Sequence, residues 1–545
     1  MLNPGAQLNP SAHVDTFCRD NLPPVADWPE LVVDLPELAY PARLNAATVL
    51  LDGAVARWGA DRPCVLSRTE TWSYGDVLAW ANQVAHVLVA RGVVPGNRVL
   101  LRGTNTPWLA ACWLGVLKAG AVAVATMPML RAHELTKIMD ASRPCLALCE
   151  HGLVGELRGF AGLPVLTYDG PGPEDLGVLA ASAPVTFADV DTAADDVALL
   201  AFTSGTTGTP KATMHFHRDL LAIADTFSAY VVRPRPDDVF LGSPPLAFTF
   251  GLSGLLVFPL RAGAATMLIG QTSPLDLVDL AAARGASVLF TAPTAYRAIL
   301  NSDKAPLLAG LRRAVSAGEA LPAAVAERFF EVTGRHLIDG IGSTELLHVF
   351  ISAADGDARP GATGLVVPGF RAAVLDEAGN PVPDGTPGRL AVKGPTGCRY
   401  LADDRQRSYV RNGWNLTGDT YIRTPDGYFV FCARSDDMII SAGYNIAAPE
   451  VEEVLLAHPD VAECAVVGAP DEARGMIVAA YVVLRPGVAG GPEKARELQE
   501  FAKSTAAPYK YPRRVEFVAD LPRNPSGKLQ RYLLRERAAR LRPAA

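Results

Sequence analysis

From about residue 45 the sequence alternates amphipathic helical stretches with short runs that are apolar at every position, and this alternation narrows the fold more than any other feature. Ser73–Ala90 reads as a helix. The Pro95-Gly96 turn leads into a strand at Asn97–Gly103 (NRVLLRG); NTPWLAACWLGVLKAG is helical again and AVAVATM a second strand. The rhythm returns in ELTKIMDASRP and CLALCE. A strand with one wet face would alternate apolar and polar residues, so wholly apolar strands are buried on both faces. Joined through helices, they make parallel sheets covered on each side. The expected fold class is α/β.

After about Gly364 the pattern shifts to alternating strands separated by Gly, Pro, Asp and Asn turns, as in RAAVLDEAGNPVPDGTPGRLAVKG, which reads as a small barrel-like subdomain. Residues 449–545 form a further small α+β pattern: helix PEVEEVLLAH, strands VAECAVVGA and MIVAAYVVL, helix PEKARELQEFAKST, strand RVEFVA. A chain of 545 residues also exceeds what one core supports, about 250–300 residues. The division expected is a large domain over 1–433 and a small C-terminal one over 434–545. Val239–Leu260 carries no charge, but Pro244, Pro245, Gly251, Gly254 and Pro259 would break hydrogen bonds that lipid cannot replace. A buried strand and turn is expected there, and no membrane span.

A formal charge of −7 argues against a nucleic-acid surface. The eight cysteines are scattered without CxxC spacing, and Met1–Pro10 has no basic stretch followed by an apolar run. Free thiols in the cytoplasm are expected. His215 and His217 form an HxH pair without a third ligand cluster, so no zinc site is expected.

The strongest local motif is Leu199–His215 (LLAFTSGTTGTPKATMH): a buried strand, then Thr203, Ser204, Gly205, Thr206, Thr207 and Gly208, then Lys211. Glycines let backbone N–H groups approach phosphate oxygens, and the hydroxyls add donors without bulk. Pro210 before Lys211 departs from the Walker pattern.

With this loop the chain resembles the adenylate-forming superfamily of acyl-CoA synthetases, peptide-synthetase adenylation domains and luciferases. Further matches follow in the family's order: SAGEALP (Ser316–Pro322), DGIGSTE (Asp339–Glu345), NLTGD (Asn415–Asp419), ARSDDMIISAGYNIAAPEVE (Ala433–Glu452) and LPRNPSGKLQR (Leu521–Arg531). The resemblance implies ATP and AMP contacts from Thr203–Gly208, Lys211, Ala317, Gly318, Glu319, Asp339, Gly340, Ile341, Ser343 and Thr344, with Asp419 and Arg434 at the ribose. It places Glu345 at Mg2+ and makes Lys528 the catalytic lysine, with Thr203, Thr344 and Glu345 as its partners in catalysis. A small mobile C-terminal lid would pivot at Asp436, and Ser441, Gly443 and Tyr444 would line the coenzyme A channel. Within the superfamily the segments IGSTELLHVFIS, PLAFTFGLSG, RSDDMI and YKYPRRVEFV resemble benzoate- and 2-aminobenzoate-CoA ligases.

That likeness implies an aromatic carboxylic acid as substrate, with Ala247, Phe248, Phe250, Gly251, Gly342 and His348 at its site. Phe248 and Phe250 offer flat apolar surfaces, and His348 is spaced to meet the carboxylate. Hydroxybenzoates, medium-chain acids and a non-CoA acceptor stay open, and a homodimer is compatible with the resemblance. A peptide-synthetase module would need an acid in the pocket segment for the α-ammonium, and none lies between Val239 and Leu260. A serine hydrolase is disfavoured because no serine sits in GxSxG.

The resemblance separates two half-reactions by residue. Lys528→Ala should slow acyl-adenylate formation by about 10²–10³, the loss typical of one transition-state charge stabiliser, and spare thioester formation from supplied acyl-adenylate. Gly443→Leu should do the reverse. Pre-steady-state pyrophosphate release, set against CoA-dependent turnover of synthetic adenylate, separates the two; equal damage to both steps in both variants would reject the assignment.

Overall fold

A computed structural model describes residues 8–203, 210–434, 437–441, 444–471, 474–506, 510–524, 527 and 529–540. The expected alternation is realised in two large sheets. One has six strands in the order Val165–Tyr168, Leu146–Glu150, Arg98–Arg102, Val122–Thr126, Val197–Thr203 and Lys211–Phe216. Its neighbours are parallel except the last pair, which is antiparallel. The other has nine strands, from Leu365–Val366 through Val349–Ser352, Ile338–Gly342, Arg313–Ala317, Val288–Thr291, Val239–Gly242, Ala265–Met267 and Pro63–Leu66 to Thr71–Ser73. Here the pairing is parallel in the middle and antiparallel at both ends.

Local chemistry sets the helix starts. The helix Tyr74–Ala90 opens on a capping box: the Ser73 hydroxyl accepts from the Asp76 N–H at 3.1 Å and the Asp76 carboxylate accepts from the Ser73 N–H at 2.8 Å. Thr106 caps Pro107–Lys118 by accepting from the Leu109 N–H at 3.2 Å, with proline where no N–H is needed. Pro107–Lys118 is buried on nearly all sides, and its last residue, Lys118, has no exposed surface. The Lys118 ammonium donates to Asp52 at 2.6 Å and to Asp189 at 3.0 Å, so the buried charge is paired on two sides.

The segment after Val239 differs from the expected strand and turn. Val239–Gly242 is a strand, but the chain then runs helically through Thr249–Leu252, a π turn at Ser253–Val257, and Phe258–Ala262. Pro259 lies within this continuous run, two residues past the π turn. Gly251 allows close packing: a Cβ there would land on the Pro245 carbonyl oxygen and within 2.7 Å of that of Pro244.

Two further five-stranded sheets follow. One contains Arg371–Leu375, Gly388–Lys393, Trp414–Arg423, Val410–Arg411 and Phe429–Arg434. In the other, Gly475–Leu484 pairs with Val461–Asp471, Met438–Ser441 and Arg514–Phe517, and Met438–Ser441 pairs in turn with Tyr444–Ala447. Its strands alternate in address. Cys464 and Val466 join the core formed with helices Ala448–Leu456 and Pro492–Thr505, while Ala465, Val467 and Ala469 join that of Arg531–Arg540. The chain divides into two compact units, Met1–Ala372 with Ala391–Leu416, and Ala373–Leu390 with Thr417–Ala545. The protein is thus α/β, with a large sheet-and-helix N-terminal part and a smaller C-terminal one. No helix among the described residues is long and apolar enough to cross a membrane.

Gly251→Ala should destabilise the protein by about 1–3 kcal/mol, the usual cost of overpacking, because the atoms it meets are backbone. Urea unfolding checks this; an unchanged midpoint would show that the Pro244–Pro245 turn can move aside.

Candidate active site

Strand Ile338–Gly342 delivers the chain to a short 3-10 turn, Thr344–Leu346. Gly342 admits no side chain, since a Cβ would lie 2.6 Å from the His348 carbonyl oxygen. The Ser343 hydroxyl accepts from the Leu346 N–H at 3.2 Å, and the Thr396 hydroxyl donates to the Leu346 carbonyl at 2.7 Å. Leu347 leaves the turn with φ of 70°, a region that side-chain-bearing residues avoid. These bonds hold the turn in place against that strain.

The carboxylate of Glu345 is buried, and its Oε1 accepts from the Tyr400 hydroxyl at 2.6 Å. Tyr400 Oη accepts in turn from the Lys211 ammonium at 3.3 Å, which sits 5.0 Å from the Tyr400 ring centre. Burial, then the charge of Glu345, pushes the Tyr400 phenol far above its ordinary range, so it remains an O–H donor. Oε2 of Glu345 takes no hydrogen bond from the described residues. A buried carboxylate with one oxygen held and the other without a partner among the described residues fits a ligand for Mg2+. A second carboxylate group, Asp460 and Glu497 beside His458, already holds an ammonium: Lys494 lies 2.6 Å from each carboxylate.

On the other side of the turn, the Thr344 carbonyl accepts from His215 Nε2 at 2.7 Å. His215 Nδ1 is 3.7 Å from the carboxylate of Asp219, which accepts from Arg399 at 3.2 Å and from the Phe216 N–H at 3.0 Å. Burial pushes the Asp219 carboxyl up, but the charge of Arg399, with His215 adding, outweighs it and leaves the group below its usual range.

Thr203 and Lys211 face each other across the antiparallel pair, so Lys211 stands on a strand beside the loop's entry. Ser204, Gly205, Thr206, Thr207 and Gly208 lie outside the described residues, as do Asp436, Gly443 and Lys528. Ala317 ends a strand whose register sets Ser316 against Asp339 and Ala317 against Gly340; Gly318 and Glu319 follow directly, and Ile341 and Ser343 continue the neighbouring segment. Desolvation pushes the Asp339 carboxyl up to about 8, and its Oδ1 has no partner among the described residues. It borders a water-sized cavity with His336, Arg359 and Thr363. In the second unit Asp419 and Arg434 are direct cross-strand partners, as are Ser441 and Tyr444.

His348 is 3% exposed and boxed by three phenylalanines, with ring centres at 4.8 Å for Phe258, 5.1 Å for Phe227 and 5.7 Å for Phe250. Phe250 also meets Phe290 at 5.5 Å. Burial lowers the His348 pKa to about 3, so the ring is neutral, and neither nitrogen has a partner among the described residues. A neutral imidazole offers one donor and one acceptor. Ala247, Phe248 and Phe250 are half-buried at the start of the helical run, with Gly251 buried behind them. Asn105 pins the preceding loop: its side chain donates to Pro244 O at 3.0 Å and accepts from Leu246 N at 2.8 Å.

Sequence reasoning missed Tyr400, His215, Asp219, Arg399 and Asn105. His215 carried a signal, its place four residues after Lys211 in the motif, but was set aside as half of an HxH pair lacking a third ligand.

Comparison with known proteins completes the picture. A family model for AMP-binding enzymes matches residues 51–400, and one for the AMP-binding enzyme C-terminal domain matches 450–528. The chain is 32% identical to a benzoate–CoA ligase of Thauera aromatica over 92% of its own length and 97% of the relative's. Its fold matches that of the anthranilate CoA ligase AuaEII in complex with anthranoyl-AMP with a TM-score of 0.87, at 31% identity, covering 93% of this chain and 99% of that one. For a benzoate CoA ligase from Burkholderia xenovorans the TM-score is 0.82, at 32% identity, covering 90% and 100%. With both family models matched in order and the Thr344–Glu345 turn framed between Lys211, Tyr400 and His215, the chain belongs to the AMP-binding enzymes of the adenylate-forming superfamily.

Proposed function

We propose that the protein is an ATP-dependent aryl carboxylate–CoA ligase acting on benzoate or 2-aminobenzoate. The observation that carries the aryl assignment is His348: a buried, neutral imidazole with two unpartnered nitrogens, enclosed by Phe227, Phe250 and Phe258. Such a site offers ring-sized apolar walls and one polar handle for a carboxylate, the usual composition of a small-ligand pocket. No carboxylate lies in the pocket segment between Val239 and Leu260 to hold an α-ammonium. Likeness to benzoate and anthranilate CoA ligases supports the same reading.

In the proposed reaction a carboxylate oxygen of the acid attacks the α-phosphorus of ATP, the α–β phosphoanhydride bond breaks and pyrophosphate leaves. The CoA thiol, losing its proton, then attacks the acyl carbonyl and AMP departs. Glu345 would hold Mg2+, which when bound neutralises phosphate charge. Lys211 and the Thr203–Gly208 loop would contact the phosphates, and His348 would orient the acid. The family resemblance assigns Lys528 to the adenylation step and the pivot at Asp436 to the change between steps. All eight cysteines are free thiols, which fits the cytoplasm.

The test is AMP release with benzoate, 2-aminobenzoate, hydroxybenzoates, medium-chain acids, palmitate and phenylalanine, with and without CoA. Benzoate or 2-aminobenzoate should give the highest kcat/KM, and a higher value for palmitate or phenylalanine would reject the reading. His348→Ala should lower kcat/KM for the preferred acid by about 10–150-fold, corresponding to about 1.5–3 kcal/mol for a hydrogen bond to a charged group, with KM for ATP unchanged.

Tyr400→Phe removes the donor that orients Glu345. Pyrophosphate exchange followed across Mg2+ concentrations should show kcat down by about 10–100-fold, the range for an outer partner of a metal ligand, with a higher Mg2+ requirement. Wild-type Mg2+ dependence in this variant would leave Tyr400 as packing alone.

A further inference from the structure

The proposed reaction leaves unused a buried polar group directly beneath the Thr344–Glu345 turn. His215, Asp219 and Arg399 are each 0% exposed. Arg399 is flanked by the rings of Phe216 at 4.2 Å and Trp28 at 5.1 Å. Its guanidinium therefore sits among aromatic rings that favour a cation, with its charge directed onto Asp219. Asp219 in turn lies 3.7 Å from His215 Nδ1, on the side of the ring away from Thr344. A carbonyl oxygen has no proton to give, so the 2.7 Å contact to Thr344 O requires Nε2 to be the donor. The 2.7 Å bond to the Thr344 carbonyl thus fixes the donor atom of His215, while the Arg399–Asp219 pair packs beside its other nitrogen, at 3.7 Å and beyond hydrogen-bond distance.

We propose that His215, buried beside the Arg399–Asp219 pair, is a positioning residue for adenylate formation: its Nε2–H bond to the Thr344 carbonyl sets the peptide that presents Thr344 and Glu345 to ATP. A group serving stability alone would gain little from this arrangement, because buried ion pairs are often matched or bettered by apolar residues of the same volume. The turn it holds has a need for it. Leu347 is at φ of 70° immediately beyond the turn, and without His215 the Thr344 carbonyl is held, among the described residues, only by the 3.1 Å bond from the N–H of that strained residue. Relaxation would rotate the Thr344 peptide and misdirect the Glu345 carboxylate, whose Oε1 is fixed separately by Tyr400. Adenylation should suffer, while the aromatic box around His348, built from different side chains, keeps its affinity for the acid.

The inference rests on the adenylating reading of this turn, so the experiment separates the two. Full-length wild type, His215→Leu and His215→Gln are compared by ATP–pyrophosphate exchange with the preferred aryl acid, alongside thermal melting. His215→Leu should lower kcat by about 10–100-fold, as removal of an orienting partner typically does, with KM for the acid within about twofold. His215→Gln, whose side-chain amide can still donate to the carbonyl, should recover most of kcat even where its Tm matches that of the leucine variant. Equal slowing in both variants, a wild-type kcat in His215→Leu, or a loss confined to KM for the acid would each overturn the role of His215. Should His215→Leu not fold, His215→Gln decides alone: a kcat near wild type supports the proposal, and a loss as large as that predicted for leucine overturns it. Wild type without exchange on any acid would reject the adenylating reading itself.

Discussion

A single phenol links the two segments on which the site depends. Tyr400 donates to Glu345 and accepts from Lys211, so the strand leaving the Ser/Thr/Gly loop and the acidic turn share one oxygen atom. Each partner restricts the others. A hydroxyl has one proton, and giving it to the carboxylate leaves only lone pairs for the ammonium. Burial enforces that direction, because a phenolate beside Glu345 would place two negative charges in a poorly solvated space. The site's charges are arranged before any ligand arrives, which is how electrostatic preorganisation works.

The cost of this arrangement is desolvation, and the protein meets it locally. Asp219, Arg399 and Lys118 are wholly buried, and each has an opposite charge within hydrogen-bonding distance. His348 is handled differently. Burial keeps it neutral instead of pairing it, and neither nitrogen has a partner among the described residues. An imidazole with both nitrogens unpartnered is uncommon in a folded interior, which is why the proposed function rests on it more than on the surrounding aromatic rings.

Much of the fold was legible in the sequence because burial on two faces excludes polar residues: NRVLLRG and AVAVATM could be little else than central strands. The helical run after Pro245 was not legible. Its prolines and glycines read as breakers, whereas the structure uses Gly251 for close approach and carries Pro259 inside the run just past its π turn. At the site, DGIGSTE was readable as a motif because its residues are contiguous. Tyr400 and His215 were not, since their partners lie 55 and 129 residues away and no local pattern encodes such a distance. His348 and Phe250 were chosen from a motif likeness, and the structure brings them face to face at 5.7 Å.

Gly342 has a consequence for how such an enzyme can change. Its backbone runs against the His348 carbonyl with no room for a Cβ, so one wall beside the aromatic box is main chain and offers selection nothing to vary. The segment with Phe248 just before the helix Thr249–Leu252 and Phe250 within it carries exchangeable side chains. Under the proposed function, divergence toward other acids therefore falls to Phe248 and Phe250: a lineage can trade ring against ring there, one substitution at a time, while the Thr344–Glu345 turn beyond Gly342 stays unaltered.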